Sequence, residues 1–137
     1  MLFKKILVVD DERNNLRLIK TVLSKEYQLM FSLTGIEAIE IAKKEKPALI
    51  LLDIMMPDMD GYQVCKALKE CDETKLIPII FVTDEISEEK GFEMGCVDYI
   101  TKPISGPILK ARVKNHLALV RMSIVEEINR SAILMLG

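Results

Sequence analysis

Five residues of this chain could act together on a charged ligand: Asp10, Asp11, Asp53, Thr83 and Lys102. Three carboxylates at close range repel one another, and one stays protonated unless a cation intervenes. Lys102 offers one positive charge. A hard divalent ion is the natural remedy, and Mg2+ takes one or two carboxylates while keeping several waters. Mg2+ with a carboxylate, a lysine and a hydroxyl makes a kit for phosphoryl transfer. The cations neutralise the equatorial oxygens, the hydroxyl donates a hydrogen bond and a carboxylate oxygen attacks in line. An aspartyl phosphate would result. Taken singly, each acid is more simply a helix cap or a solvated loop residue, so the weight rests on whether the fold brings the five together.

Each of the five follows a short run of strand-forming residues. Ile6 to Val9, Leu49 to Leu52 and Ile79 to Val82 are continuous β-branched or leucine-rich runs, as suits strands buried on both faces of a parallel sheet. Asp10 and Asp11 follow the first run, Asp53 the second and Thr83 the third. Two mixed runs, Gln28 to Ser32 and Asp98 to Thr101, read as strands nearer an edge, and Lys102 follows the latter. Helical stripes lie between them: Leu16, Ile19, Val22 and Leu23 within 12–25, Ile36, Ile39 and Ala42 within 35–45, and Val64, Ala67 and Leu68 within 62–71. A short helix is expected from Ser87 to Met94. Pro47, Pro57, Pro78, Pro103 and Pro107 fall in loops or at element starts. The alternation predicts an α/β three-layer sandwich around a five-stranded parallel sheet with right-handed crossovers. Ligands of such sheets bind at the carboxyl ends of the strands, where all five residues stand. From Pro107 to Leu136 nothing breaks the last helix. About 30 residues would run about 45 Å, so its end should project.

Composition narrows the classes. At 137 residues, half of them hydrophobic, the chain can bury one domain's core. A net charge of -2 gives no support to binding nucleic acid or an anionic membrane through bulk charge. Cys65, Cys71 and Cys96 form no CxxC pair, and His116 is the sole histidine. A structural zinc site and a disulfide scaffold are therefore not expected. The cysteines read as small buried hydrophobes, and His116 as a bystander without an acidic partner. The opening Met1 to Lys5 is too short an apolar run for a signal peptide, and no stretch of about 18 apolar residues could span a bilayer. A cytoplasmic location is expected.

The segment Asp53-Ile54-Met55-Met56-Pro57-Asp58-Met59-Asp60-Gly61 resembles the DxxMPxxDG signature of response-regulator, or CheY-like, receiver domains. Asp10-Asp11, Thr83 and Lys102-Pro103 stand at the matching places, and the resemblance covers residues 3 to about 122. It implies a flavodoxin-like sheet of order 2-1-3-4-5 with the site at its switch point. It implies that Asp53 is the phosphoacceptor and that Asp11 binds Mg2+ directly, Asp10 largely through water. The backbone carbonyl of Met55 would complete the protein ligands beside Asp53. Thr83 and Lys102 would hold the phosphoryl oxygens. Tyr99 matches the aromatic switch position, whose ring turns inward as the threonine moves, and the Lys102–Pro103 bond would be cis. Asp58 and Asp60 read as turn residues, and Met56 and Met59 as loop packing.

The implied role is a phosphorelay switch of two-component signalling. It would take a phosphoryl group from a sensor histidine kinase or a histidine phosphotransfer protein. It would catalyse only its own phosphorylation and dephosphorylation, not turn over a substrate. The signal would leave through the face of the fourth helix, fifth strand and fifth helix. Homodimerisation through that face or the C-terminal helix would accompany it. One feature departs from the family: Thr83 and Lys102 stand a few residues closer than usual, so Asp84 and Glu85 cannot be assigned the two positions after the threonine.

Residues 1–122 thus read as a receiver and 123–137 as a helical extension toward an output domain absent from this sequence. The extension resembles the connector into an HD-type cyclic-di-GMP phosphodiesterase domain, and less closely a diguanylate cyclase. Three other readings compete. A haloacid-dehalogenase-type phosphatase needs a second aspartate two residues after the first, where Met55 stands. A flavodoxin-like electron carrier needs a hydroxyl- and glycine-rich loop after the first strand, where Asp10-Asp11-Glu12-Arg13 would repel a flavin phosphate. A phosphorylation-independent receiver usually lacks an acid or the lysine, and none is lacking here.

Overall fold

A computed structural model describes residues 3–84 and 93–118. Its elements are β1 (Lys5–Val9), α1 (Arg13–Leu23), β2 (Gln28–Ser32), α2 (Gly35–Glu45), β3 (Leu49–Leu52), α3 (Gly61–Glu70), β4 (Ile79–Thr83) and β5 (Asp98–Thr101). Residues 106–118 form a further helix. All five strands are parallel and lie in the order β2-β1-β3-β4-β5, as expected. The end of the last helix that is expected to project, the extension 123–137, nearly all of the expected short helix Ser87 to Met94 and residues 85–92 after Thr83 lie outside the described residues.

The continuous apolar runs follow from a sheet covered on both faces. Successive side chains of a strand point to opposite faces. Ile6 and Val8 enter one core with Ile19 and Leu23 of α1 and with Leu109, Val113 and Leu117 of the last helix. Leu7 and Val9 enter a second core with Ala38 and Ala42 of α2 and with Val64, Cys65 and Leu68 of α3. After the half-buried Lys5 that opens β1, every position on β1, β3 and β4 is buried, whereas β2 and β5 at the edges are partly exposed. Burying each large aliphatic side chain contributes about 2 kcal/mol before entropy is charged against it.

The face that α2 buries matches the expected stripe at Ala42 and, half-buried, at Ile39, but not at the helix start. Ile36 is exposed, and the buried residues are Gly35, Ala38 and Ala42. Small residues win here because the helix start lies against the loop before α3. A Cβ on Gly35 would come within 2.4 Å of Met59 Cγ and 2.7 Å of Val64 Cγ2. Cys65 and Cys96 are buried as expected, but Cys71 is only partly so. Among the described residues no helix is long and apolar enough to cross a membrane.

Gly61 makes the tightest approach. Its N–H donates to the Ile54 carbonyl at 2.8 Å, and a Cβ there would stand 2.4 Å from the Asp53 carbonyl oxygen. Backbone cannot rotate aside as a flexible side chain can. Gly61→Ala is therefore expected to destabilise the fold by about 2 kcal/mol or more, as overpacking does, read by urea denaturation. An unchanged midpoint would show that the Asp53–Gly61 loop does not close as described.

Candidate functional site

Sheet hydrogen bonding runs one residue past the strand ends and so places the site. The Asp10 N–H donates to Ser32 O at 3.1 Å, Asp53 N–H to Val9 O at 2.9 Å and Lys102 N–H to Thr83 O at 3.0 Å. Asp10 and Asp53 thus leave adjacent strands side by side. Lys102 leaves β5, two strands beyond β3, and its long side chain spans the gap. Its Nζ lies 3.1 Å from Asp10 Oδ2 and 3.2 Å from Asp53 Oδ2. The Lys102–Pro103 peptide bond is cis. Ligand oxygens of Asp10, Asp11 and Asp53 all lie within 4.8 Å of one another. Asp10, Asp53 and Thr83 are buried and Asp11 is exposed. All five residues singled out at strand ends therefore meet at one sheet edge.

One ammonium does not balance this cluster. Burial, and then the charge of Asp10, push the Asp53 carboxyl up to about 6, against the pull of Lys102 and the Met55 N–H. Burial lowers the affinity of Lys102 for its proton, but the hydrogen bonds and charges of Asp10 and Asp53 outweigh it and hold the amine above its ordinary value. The donors are all carboxylate oxygens, as a hard divalent cation requires and a soft metal does not.

The three acids are not equivalent. Asp10 Oδ1 accepts the Glu12 N–H at 2.9 Å, and Oδ2 accepts from Asn15 Nδ2 at 3.2 Å besides facing Lys102. Asp53 Oδ1 accepts one long bond, from Met55 N at 3.4 Å. Asp10 is thus the most committed to protein donors. Asn15 was not singled out from the sequence. It lies in the first turn of α1, just after the acid pair, and only the helix start turns its amide back onto Asp10.

Thr83 closes β4, and Tyr99 on β5 is paired with Phe81 across the sheet. The Tyr99 ring is buried and tilts against Phe81, 5.8 Å between centroids, and Phe81 meets Tyr62 edge-on at 5.4 Å. Tyr99 is thus held by aromatic packing on the strand that leads to Lys102.

Two expectations are overturned. His116 does have an acidic partner: its Nε2 lies 2.9 Å from Asp98 Oδ2, and Arg112 Nη1 lies 2.6 Å from Asp98 Oδ1. The carboxylate comes from β5, and pairing a strand with the last helix is not visible in local spacing. Burial raises the Asp98 carboxyl, but the bonds from His116, the Tyr99 N–H and Arg112 outweigh it and hold it below its ordinary value. Asp58 is more than a turn residue. Its carboxylate accepts the N–H groups of Gly35 at 3.1 Å and Ile36 at 3.0 Å, at the start of α2. Asp60 caps α3, exchanging bonds of 2.9 Å with Gln63 in a capping box.

Residues 6–114 match the family model described as "Response regulator receiver domain". The chain is 42% identical over 115 residues to a probable cyclic di-GMP phosphodiesterase of Vibrio cholerae, covering 82% of this chain and 26% of that protein. It is 41% identical over 118 residues to the response regulator PleD of Caulobacter vibrioides, covering 81% and 25%. The chain thus spans about a quarter of the length of these relatives. Among solved structures, a CheY-like receiver domain protein of Methanospirillum hungatei superposes with a TM-score of 0.82 at 27% identity, over 89% of this chain and 99% of that one. The receiver domain of a signal transduction histidine kinase of Syntrophus aciditrophicus gives 0.78 at 33%, over 85% and 92%.

The raised Asp53 value has a sign that can be measured. The folded state holds this proton more tightly than the unfolded chain, so the stability it contributes is present below pH 3.8 and is lost as pH rises through about 6. In chelator without Mg2+, Asp53→Asn should therefore gain on the parent chain by up to about 3 kcal/mol between pH 4 and 7. Urea denaturation of both proteins across that range reads the gap. A gap that does not change with pH would mean that burial and the charge of Asp10 do not raise the Asp53 carboxyl.

Proposed function

Because this chain belongs to the response regulator receiver domain family, we propose that Asp53 is its phosphoacceptor, within a site that holds Mg2+ and is served by a partner's phosphohistidine. The observation that carries this reading is the buried Asp53 carboxylate 3.2 Å from Lys102, with Asp10 and Asp11 in reach. Asp11, Asp53 and the Met55 carbonyl would hold the ion directly, and Asp10, already bound by three protein donors, would act largely through water. Mg2+ supplies charge neutralisation for the phosphoryl oxygens and draws the acids into their ionised forms.

The chain's own residues divide the remaining work. Asp53 must be ionised to attack, and Lys102 favours that form. One Asp53 oxygen forms the new O–P bond as the P–N bond of the phosphohistidine breaks, and the imidazole leaves with the electron pair. Lys102 then exchanges its contact with the carboxylate for one with a phosphoryl oxygen, and the Thr83 hydroxyl donates to another. Withdrawal of Thr83 toward the phosphate frees volume next to Tyr99, whose ring already packs inward on Phe81. That shift would be passed to partners through β5 and the last helix, the face on which a homodimer would also form. The chain acts as a switch that works only on itself, in the cytoplasm, and the receiver comprises residues 1–122.

A second element concerns the whole protein. The resemblance of 123–137 to a connector, together with the match to a probable cyclic di-GMP phosphodiesterase of which the aligned segment is 26%, favours an HD-type output domain that hydrolyses cyclic di-GMP, and less closely one that makes it. Full-length protein assayed for hydrolysis and for synthesis of cyclic di-GMP would decide it, and the absence of both activities would reject it.

With Mg2+ and acetyl phosphate, intact-mass spectrometry should show one added phosphate on the parent chain and none on Asp53→Asn. Lys102→Ala should lower the rate by about a hundredfold or more, the usual cost of removing one preorganised electrostatic contact. Uptake by Asp53→Asn equal to that of the parent chain would refute the assignment.

A further inference from the structure

We infer that Asp58 is a positioning residue for the metal site: its bonds to the start of α2 set the loop that carries the Met55 carbonyl. The inference rests on the proposed Mg2+ ligands. The loop from Asp53 to Gly61 is tied down at three places. Gly61 closes it against the Ile54 carbonyl at 2.8 Å, and Asp60 fastens it to α3 through the capping box. The first joins the two ends of the loop and the second lies at its α3 end. Asp58 is the third, and it alone fastens the loop to a different helix.

The geometry of that tie is bidentate. Oδ1 takes the Gly35 N–H and Oδ2 takes the Ile36 N–H. Both are first-turn groups that no carbonyl within the helix can satisfy. Thr34 Oγ1 takes the next one, from Glu37 at 3.2 Å, and the Ala38 N–H reaches the Thr34 carbonyl at 3.1 Å. The start of α2 therefore needs Asp58 as much as the loop needs α2. The backbone bonds from Gly35, then Ile36, hold the Asp58 carboxyl below its ordinary value despite some burial. Packing reinforces the tie, since Met59 fills the space that a Cβ on Gly35 would take.

The span between the Asp58 tie and Asp53 contains only Ile54, Met55, Met56 and Pro57. Ile54 is fully buried and Met56 is partly buried against the core. Met55 is exposed, with its N–H turned onto Asp53. The carbonyl of Met55 is thus suspended between a buried anchor and the Asp58 tie. Groups that orient metal ligands from outside commonly alter metal affinity by about tenfold or more when removed.

The test compares two losses at the same helix end. Asp58→Ala cuts the loop from α2, whereas Thr34→Ala removes the helix's own cap and leaves the loop tied. Both should unfold at lower temperature. Mg2+ affinity, read by isothermal titration of the folded proteins with Mg2+ alone, should fall about tenfold in Asp58→Ala and stay within about twofold of the parent in Thr34→Ala. Asp58→Asn, which keeps one acceptor oxygen, should fall between. Equal Mg2+ affinities in Asp58→Ala and Thr34→Ala would overturn the inference. A parent chain that does not bind Mg2+ would instead overturn the ligand assignment on which it rests, and the inference with it.

Discussion

One imbalance of charge organises this molecule: three carboxylates meet at a sheet edge where one lysine answers them. Lys102 reaches Asp10 and Asp53 at nearly the same distance, and Asp53 is still left with a carboxyl pushed up to about 6. A fold tolerates such a cluster only if something outside the chain relieves it or if the protein is paid in function for the loss. Burial and the nearby charge of Asp10, which raise the Asp53 carboxyl, would both be offset by a divalent cation, and a cation beside an ionised Asp53 is what phosphoryl transfer requires.

The scaffold meets that demand through register. A parallel sheet buried on both faces obliges the interiors of β1, β3 and β4 to be apolar, so polar residues gather at the strand ends. Because the strands run the same way, those ends fall on one edge. The hydrogen bonds that continue the ladder through Asp10, Asp53 and Lys102 hold their backbones with the rigidity of the sheet itself. The loop after β3 lacks that support. It is held by side chains and close approach: Gly61 on the Ile54 carbonyl, Asp60 on α3 and Asp58 on α2.

Strand positions and the five residues at the strand ends were legible in the sequence, because burial on two faces and the polar residue after each run are local patterns; the sheet order was legible only through the family resemblance. Contacts between distant segments were not. Asp58 looks like any aspartate in a Pro/Gly turn until α2 is brought beside it. His116 looks isolated until β5 presents Asp98. Asn15 becomes visible only once the first turn of α1 turns its amide onto Asp10. Ile39 and Ala42 of the α2 stripe do face the core, yet Ile36 does not, because the close approach of Met59 to Gly35 gives the first turn to small residues. Periodicity finds the apolar side of a helix; what the helix meets decides where that side is actually covered.

The account stands on the identity of one atom group, the Asp53 carboxylate, as the acceptor. Borohydride reduces an aspartyl phosphate to homoserine, so the modified residue can be located by peptide mass spectrometry after treatment with a phosphodonor. The account predicts homoserine at position 53 when Mg2+ is present and unmodified aspartate there when Mg2+ is chelated. Homoserine at position 10 or 11, or modification of position 53 that is indifferent to Mg2+, would contradict it.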